Sequence, residues 1–280
     1  MEISMRNYKI LAMLAALLFS FPVSELVAGD LDSFRGQNGT LKIAGGTAHI
    51  PVMKEAAKLI MTANPDIRIT IAGGGSGVGT KQVGEGIIDI GNAGRKATDK
   101  EIATYGLHPV KWAVDGVGAV VNPGNPVSAL STEQLQGIFS GAIASWKELG
   151  GEDRGINIYD RDSASGTRSV FWKKALKKAE VSKKANVVVS NGAMKTADAS
   201  DPYGIGFVSV GHIDSSVTPV TLDGVTPTLE TVKNGKYSVA RGLYSFTKGE
   251  PKGIASLFLD FLLSPSGQKI AVEKGFIAVQ

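Results

Sequence analysis

The chain predicts an α/β fold, and three observations carry that prediction. Short apolar runs alternate with segments of helical spacing from about residue 40 onward, the pattern of strands interleaved with helices. Several runs end in glycine, and the glycine-rich loops lead straight into those segments. LKIAGG, from Leu41, is a strand of this kind. IPVMKEAAKLIMTANP follows from Ile50 as a helix with Ile50, Met53, Ala57, Ile60 and Met61 on its apolar stripe, stopped near Pro65. IRITIAGGGSG is the next strand, Val78 to Gly86 a short helix, and IIDIGNAGR, from Ile87, a third strand.

A strand AVDGVGAVVNP begins at Ala113, and LSTEQLQGIFSG places a helix after Ser131. INIYDR is a strand. A helix then starts near Gly166 and runs to about Ala179, with Val170, Phe171, Trp172, Ala175 and Leu176 in helical spacing. VVVS, a helix over about 192–199, the strand IGFVSV and the strand RGLYSFTKG from Arg241 complete the alternation. Two closing helices are separated at Pro265. There is no internal repeat and no low-complexity linker.

Composition narrows the function classes. With 280 residues, 35 glycines and 20% charged residues, the chain has a soluble, globular make-up and enough length to bury a large core. A net charge of +4 suits anionic partners, but no nucleic-acid-reading motif accompanies it, so nucleic acid is not expected as a partner. Arg6 and Lys9, the apolar run Ile10–Phe21 and the small residues up to Gly29 predict a cleavable signal peptide over 1–29. The run is shorter than the roughly 20 residues of a membrane span. Cysteine is absent, so no disulfide, thiolate metal site or lipid-anchoring thiol is available. An exported protein without an anchor is expected in the periplasm of a two-membrane bacterium.

Three loops carry the chemistry: GGTAHI from Gly45, GGGSGVGTK from Gly73 and SASGTR from Ser163. Loops at the carboxyl ends of strands, opening into helices, present unpaired backbone N–H groups and the positive end of a helix dipole to an anion. The second loop misses three enzymatic motifs. In the P-loop pattern the lysine and hydroxyl are reversed as Thr80 and Lys81; the dinucleotide fingerprint meets Thr80 where glycine is required; and a nucleophile elbow meets Val78. His49, His108 and His212 are the only histidines and stand in no triad or metal spacing, and the carboxylates are scattered singly. No metal or cofactor is expected. His49 adjoins the first loop.

Taken in order, ITIAGGGSGVGTKQVGEGIIDIGNAGR, AVDGVGAVVNPGNPVSALSTEQLQGIFSGAIASWKELGG, RDSASGTR, DPYGIGFVSVGHID and YSFTKGEPKGIASLFLDFLLSPSGQ cover nearly everything after the leader. The chain resembles the periplasmic phosphate-binding proteins of bacterial ABC phosphate transporters. The resemblance implies a two-lobed clamp, each lobe a mixed sheet flanked by helices, joined by two crossing strands. It places lobe I at 30–114 plus 242–280 and lobe II at 115–241. It implies inorganic phosphate as ligand, ABC permease subunits at the inner membrane as partners, a monomer, and no catalysis.

By motif, the resemblance assigns ligand contacts to Thr47 and Ala48 in the first loop, Ser76 and Gly77 in the second, Asp115, Arg161, and Ser165, Gly166 and Thr167 in the third. Arg95 matches an arginine of one branch. Arginine suits such a site because its planar fork pairs two oxygens at once. Asp115 would accept the proton that phosphate keeps and sulfate lacks, a test of identity by repulsion. Gly46 and Ala48 lack hydroxyls common in the family, Gly94 stands where a serine or aspartate is common and Ser163 where an acidic residue is, so the accepting role falls more heavily on Asp115. The alternatives are a receptor for sulfate, arsenate or molybdate, and a phosphate-ester hydrolase using Ser76 or Ser165.

Overall fold

The computed structural model describes residues 29–279, so the expected leader falls outside the described residues except for Gly29. In chain order the elements that position the site are β1 (Gly39–Gly45), α1 (Ile50–Ala63), β2 (Ile67–Gly74), α2 (Ser76–Gly84), β3 (Ile90–Ala93), α3 (Asp99–Tyr105) and β4 (Leu107–Val121). Then come β5 (Ala129–Leu130), α4 (Thr132–Ser140), β6 (Asn157–Arg161), α5 (Gly166–Lys174), β7 (Asn186–Val188), α6 (Asn191–Ser200) and β8 (Gly204–Ser209). The last part holds β9 (Thr218–Pro219), β10 (Thr221–Leu222), α7 (Leu229–Lys233), β11 (Ala240–Lys248), α8 (Gly253–Leu263), α9 (Pro265–Glu273) and β12 (Ile277–Ala278).

The main sheet runs in the order β2-β1-β3-β11-β4-β8-β6-β7. The β1 strand pairs in parallel with β2 and β3, while β11 is antiparallel to β3 and β4. Strand β4 is long enough to serve two sheets. Its first part, Leu107 to Gly116, pairs with β11, and Val117 to Val121 pairs with β8. Strands β6 and β8, then β6 and β7, pair in parallel.

Two large apolar cores lie on either side of that change of partner, and Val83, Ala93, Ala97, Leu107 and Phe246 form a smaller third cluster. One draws on residues between Phe34 and Ala113 and between Leu243 and Phe276; the other draws on residues between Val117 and Val239. Trp112, fully buried, anchors the first against Phe276; Phe171 stacks on Phe207 with centroids 4.3 Å apart in the second. Helix α1 packs Val52, Met53, Ala56, Ala57 and Ile60 inward, and Ile50 and Met61 are only half-buried, so its face is rotated from the expected stripe. Pro51 in its first turn supplies a preset φ where no N–H partner is needed.

Other departures have local causes. Helix α3 escapes a periodicity reading because none of its residues is buried; a capping box between Thr98 and Glu101 starts it instead. Strand β4 begins at Leu107 rather than Ala113, because β11 pairs with it that far back. Helix α2 begins at Ser76, earlier than Val78, and β3 begins at Ile90, leaving Ile87 exposed in the preceding loop. Helix α5 stops at Lys174, short of Ala179: Lys177 and Lys178 take φ of 49° and 66°, and the Trp172 indole N–H donates to the Ala179 carbonyl, closing a turn.

Asp198 on α6 is fully buried, and neither carboxylate oxygen has a hydrogen-bond partner among the described residues. Burial, and then the charge of Asp201, push it up to about 8. An unfolded aspartate titrates near 3.9. The native chain therefore holds an extra proton between about pH 4 and about pH 8, and stability falls as pH rises through that window. Asp198→Asn is expected to stabilise the fold at pH 8 by on the order of a few kcal/mol, read as a higher thermal midpoint, and to do little at pH 4. An equal shift at both pH values would reject the titration as its cause.

Candidate functional site

Strand ends and helix starts from both halves meet over a small cavity. After β1 the chain tightens into a 3₁₀ turn, Thr47–His49, whose three residues are buried. After β2, Gly75 takes φ 88° and approaches the other half so closely that a Cβ there would lie 2.8 Å from the Ala164 carbonyl oxygen. The Gly77 N–H donates to that same oxygen at 3.0 Å. After β6, Ser165 caps α5 by accepting the Arg168 N–H at 3.1 Å. The cavity is lined by Gly46 to His49, by Gly75, Ser76 and Gly94, by Arg161 and Ser165 to Thr167, and by Arg241.

Arg161 is 2% exposed. Its Nη2 donates to the Val189 carbonyl at 3.1 Å, and its Nε and Nη1 have no partner among the described residues. Burial draws its guanidinium down to about 10, which leaves it charged at neutral pH. Arg241 enters from β11. Its Nε donates to Asp115 Oδ2 at 2.8 Å, and its Nη2 lies 2.7 Å from the same oxygen without the alignment of a hydrogen bond. Its Nη1 donates to the Gly94 carbonyl at 3.3 Å and to Thr167 Oγ1 at 3.0 Å.

The hydroxyls are oriented by their neighbours. Ser76 Oγ accepts the Gly94 N–H at 2.9 Å. Asn191, at the start of α6, donates to Thr47 Oγ1 from its backbone N and its Nδ2, and from Nδ2 to Thr167 Oγ1. His49 is fully buried against Trp112, and burial, then the Arg241 charge, hold it down at about 3, so it is neutral. Neither Ser76 nor Ser165 donates to a histidine or carboxylate among the described residues. The arrangement is a buried, cationic, donor-rich seat for a small anion.

Residues 35–266 match the PBP superfamily domain. The phosphate-binding protein PstS of Bacillus subtilis (strain 168) is 40% identical over 254 residues, covering 89% of this chain and 84% of that protein. The chain belongs to the PstS family of phosphate-binding proteins. A Borreliella burgdorferi PstS is 29% identical over 253 residues, with 86% and 90% covered. Among PstS-like crystal structures, a phosphate ABC transporter substrate-binding protein from Clostridium perfringens, with bound phosphate, superposes with a TM-score of 0.81 at 34% identity. It covers 86% of this chain and all of that one. An ABC-type phosphate transport receptor from Vibrio cholerae gives 0.68 at 32%, with 85% and 99% covered.

Within this PstS-family fold, seven of the motif-assigned residues line one cavity: Thr47, Ala48, Ser76, Arg161, Ser165, Gly166 and Thr167. Three do not. Gly77 spends its N–H on Ala164. Arg95 is drawn away by Glu101, which takes Nη1 and Nη2 at 2.7 Å each and is held down at about 2 by that pairing. Asp115 is fully buried, but its carboxylate goes to Arg241 and to the Ser209 hydroxyl at 2.9 Å. The carboxylate expected to accept a ligand proton pairs here with the nearest buried cation, Arg241. Sequence reading missed Arg241 and Asn191, because Arg241 opens an ordinary strand and Asn191 sits in no glycine loop.

Removing the carboxylate would leave Arg241 buried without its counter-charge. Asp115→Ala is expected to cost about 3–5 kcal/mol of stability in urea denaturation at neutral pH. A loss under about 1 kcal/mol would mean that solvent, not Asp115, balances Arg241.

Proposed function

We propose that the chain binds inorganic phosphate in this cavity and presents it to the permease of an ABC transporter for import. The observation that carries the reading is Arg161: a buried guanidinium with two nitrogens unpartnered among the described residues, beside hydroxyls that accept from the protein and hold their protons free. Burying such a charge is costly unless a partner arrives, and a tetrahedral oxyanion offers several acceptor oxygens at once. The named relatives are binding proteins rather than enzymes, which agrees with serines that lack a base.

Export to the periplasm through residues 1–29, action as a monomer, and division into lobes at 30–114 plus 242–280 and 115–241 belong to the same proposal. The change of partner along β4 between Gly116 and Val117 supports a hinge there, with β11 as the second crossing strand. Among the described residues no helix is long and apolar enough to cross a membrane.

Titration calorimetry on refolded, ligand-free protein is expected to give one phosphate per chain. Silence with phosphate together with clear heat from molybdate or sulfate would move the assignment to another oxyanion. Arg161→Ala is expected to weaken phosphate binding by about 2–5 kcal/mol; unchanged affinity would remove Arg161 from the contact.

A further inference from the structure

The positive charge of the chain is concentrated in one short stretch. Six lysines, Lys173, Lys174, Lys177, Lys178, Lys183 and Lys184, stand there against one carboxylate, Glu180. That excess of five exceeds the +4 of the whole chain, so the remainder is close to neutral. All six are exposed, and none forms a salt bridge among the described residues. Lys174 Nζ donates to the carbonyls of Ser238 and Ala240; the other five amino groups have no polar partner among the described residues.

The backbone beneath them is fixed. Ala175 and Leu176 are buried, the Gln136 amide donates to the Leu176 carbonyl at 3.0 Å, and the Ser182 N–H donates to the Phe139 carbonyl at 2.8 Å. Lys177 and Lys178 take φ of 49° and 66°, a conformation that glycine or asparagine adopts at less cost. Two successive lysines held there against that cost indicate side chains with a use.

Immediately beyond lies β7, the end strand of the main sheet. Val187 within it is 63% exposed and Val189 just after it 73%, while Val188 between them packs on the second core. The two exposed valines therefore share the outer face. Edge protection accounts for Lys183 and Lys184, just ahead of the strand, but not for the lysines on the helix and turn before it.

We propose that residues 173–189 form a docking surface for an anionic lipid bilayer, the lysines drawn to the headgroups and Val187 and Val189 settling among them. Such a surface is fluid. Lysine, a point charge on a flexible stem, follows moving headgroups, whereas the planar fork of arginine suits a fixed carboxylate; the stretch holds no arginine. Basic side chains gain attraction within a Debye length of an anionic membrane, and exposed aliphatic side chains add burial at its interface. A second copy of this chain brings the same positive charge and is repelled. The contact is peripheral, since no helix among the described residues is long and apolar enough to cross a membrane. The inference stands apart from the phosphate reading, because none of these side chains lines the anion cavity.

Vesicle sedimentation tests it on the chain from Gly29 onward, the described fold, which removes the apolar run of the leader as a cause of binding. The protein is expected to bind vesicles of ~30% phosphatidylglycerol in phosphatidylcholine, to ignore phosphatidylcholine alone, and to be released by about 0.5 M salt. Lys173→Gln, Lys177→Gln, Lys178→Gln, Lys183→Gln and Lys184→Gln together are expected to lose at least about tenfold in vesicle affinity and to keep the wild-type thermal midpoint. A matched variant, Lys54→Gln, Lys58→Gln, Lys96→Gln, Lys100→Gln and Lys252→Gln, removes equal charge from exposed positions elsewhere and is expected to bind like wild type. Val187→Ser with Val189→Ser is expected to weaken binding severalfold.

No preference for the anionic vesicles overturns the proposal. Equal losses in the two lysine variants assign binding to net charge alone and overturn it as well, as does unchanged binding by the valine variant. Capture of soluble polyglutamate but not of vesicles makes the occupant an acidic polypeptide instead.

Discussion

The constraint to which the rest of this molecule answers is the burial of two guanidinium groups beside one cavity. Arg161 and Arg241 are 2% and 7% exposed, and a charge taken that far out of water is tolerated only when its surroundings supply compensating oxygens. Arg241 takes its compensation from Asp115, the Gly94 carbonyl and Thr167. Arg161 takes one contact, from the Val189 carbonyl, and keeps two nitrogens unpartnered among the described residues. The asymmetry divides their roles: one cation is anchored, and the other is left with capacity for an anion.

The scaffold puts those cations together by an economy of topology. A single strand, β4, leaves one sheet and joins another, and β11 runs beside it, so Asp115 and Arg241 face each other where the chain changes halves. Glycine loops from one half and the α5 start from the other then close on the same space. The hydrogen bonds between halves at this point are polar: the Gly77 N–H to Ala164, Asn191 to Thr47 and Arg241 to Gly94. Such contacts are weaker than apolar core packing and exchange readily, which suits surfaces that separate and close.

Much of the fold was legible because local rules govern it. The glycine-ended strands and the amphipathic α1 carry their own periodicity, and Pro265 marks the break between α8 and α9. Helix α3 was not legible by apolar spacing since it buries nothing, although Thr98 and Glu101 spell its capping box. The early stop of α5 depends on a turn at Lys177 and Lys178 that no residue preference announces, because lysine has no special ease at positive φ.

For the site, the three glycine loops could be named from the sequence because a helix start after such a loop offers backbone donors to an anion, whereas Arg161 and the hydroxyls were assigned through the family resemblance. Neither was enough to say what Asp115 does. A carboxylate's role depends on which cation lies within about 3 Å of it, and Arg241 stands 126 positions away along the chain. The same holds for Arg95, whose partner Glu101 was hidden in an unrecognised helix. Local patterning determined the elements and the anion-seeking loops; only tertiary structure decided which charges pair, since pairing is a matter of distance through space.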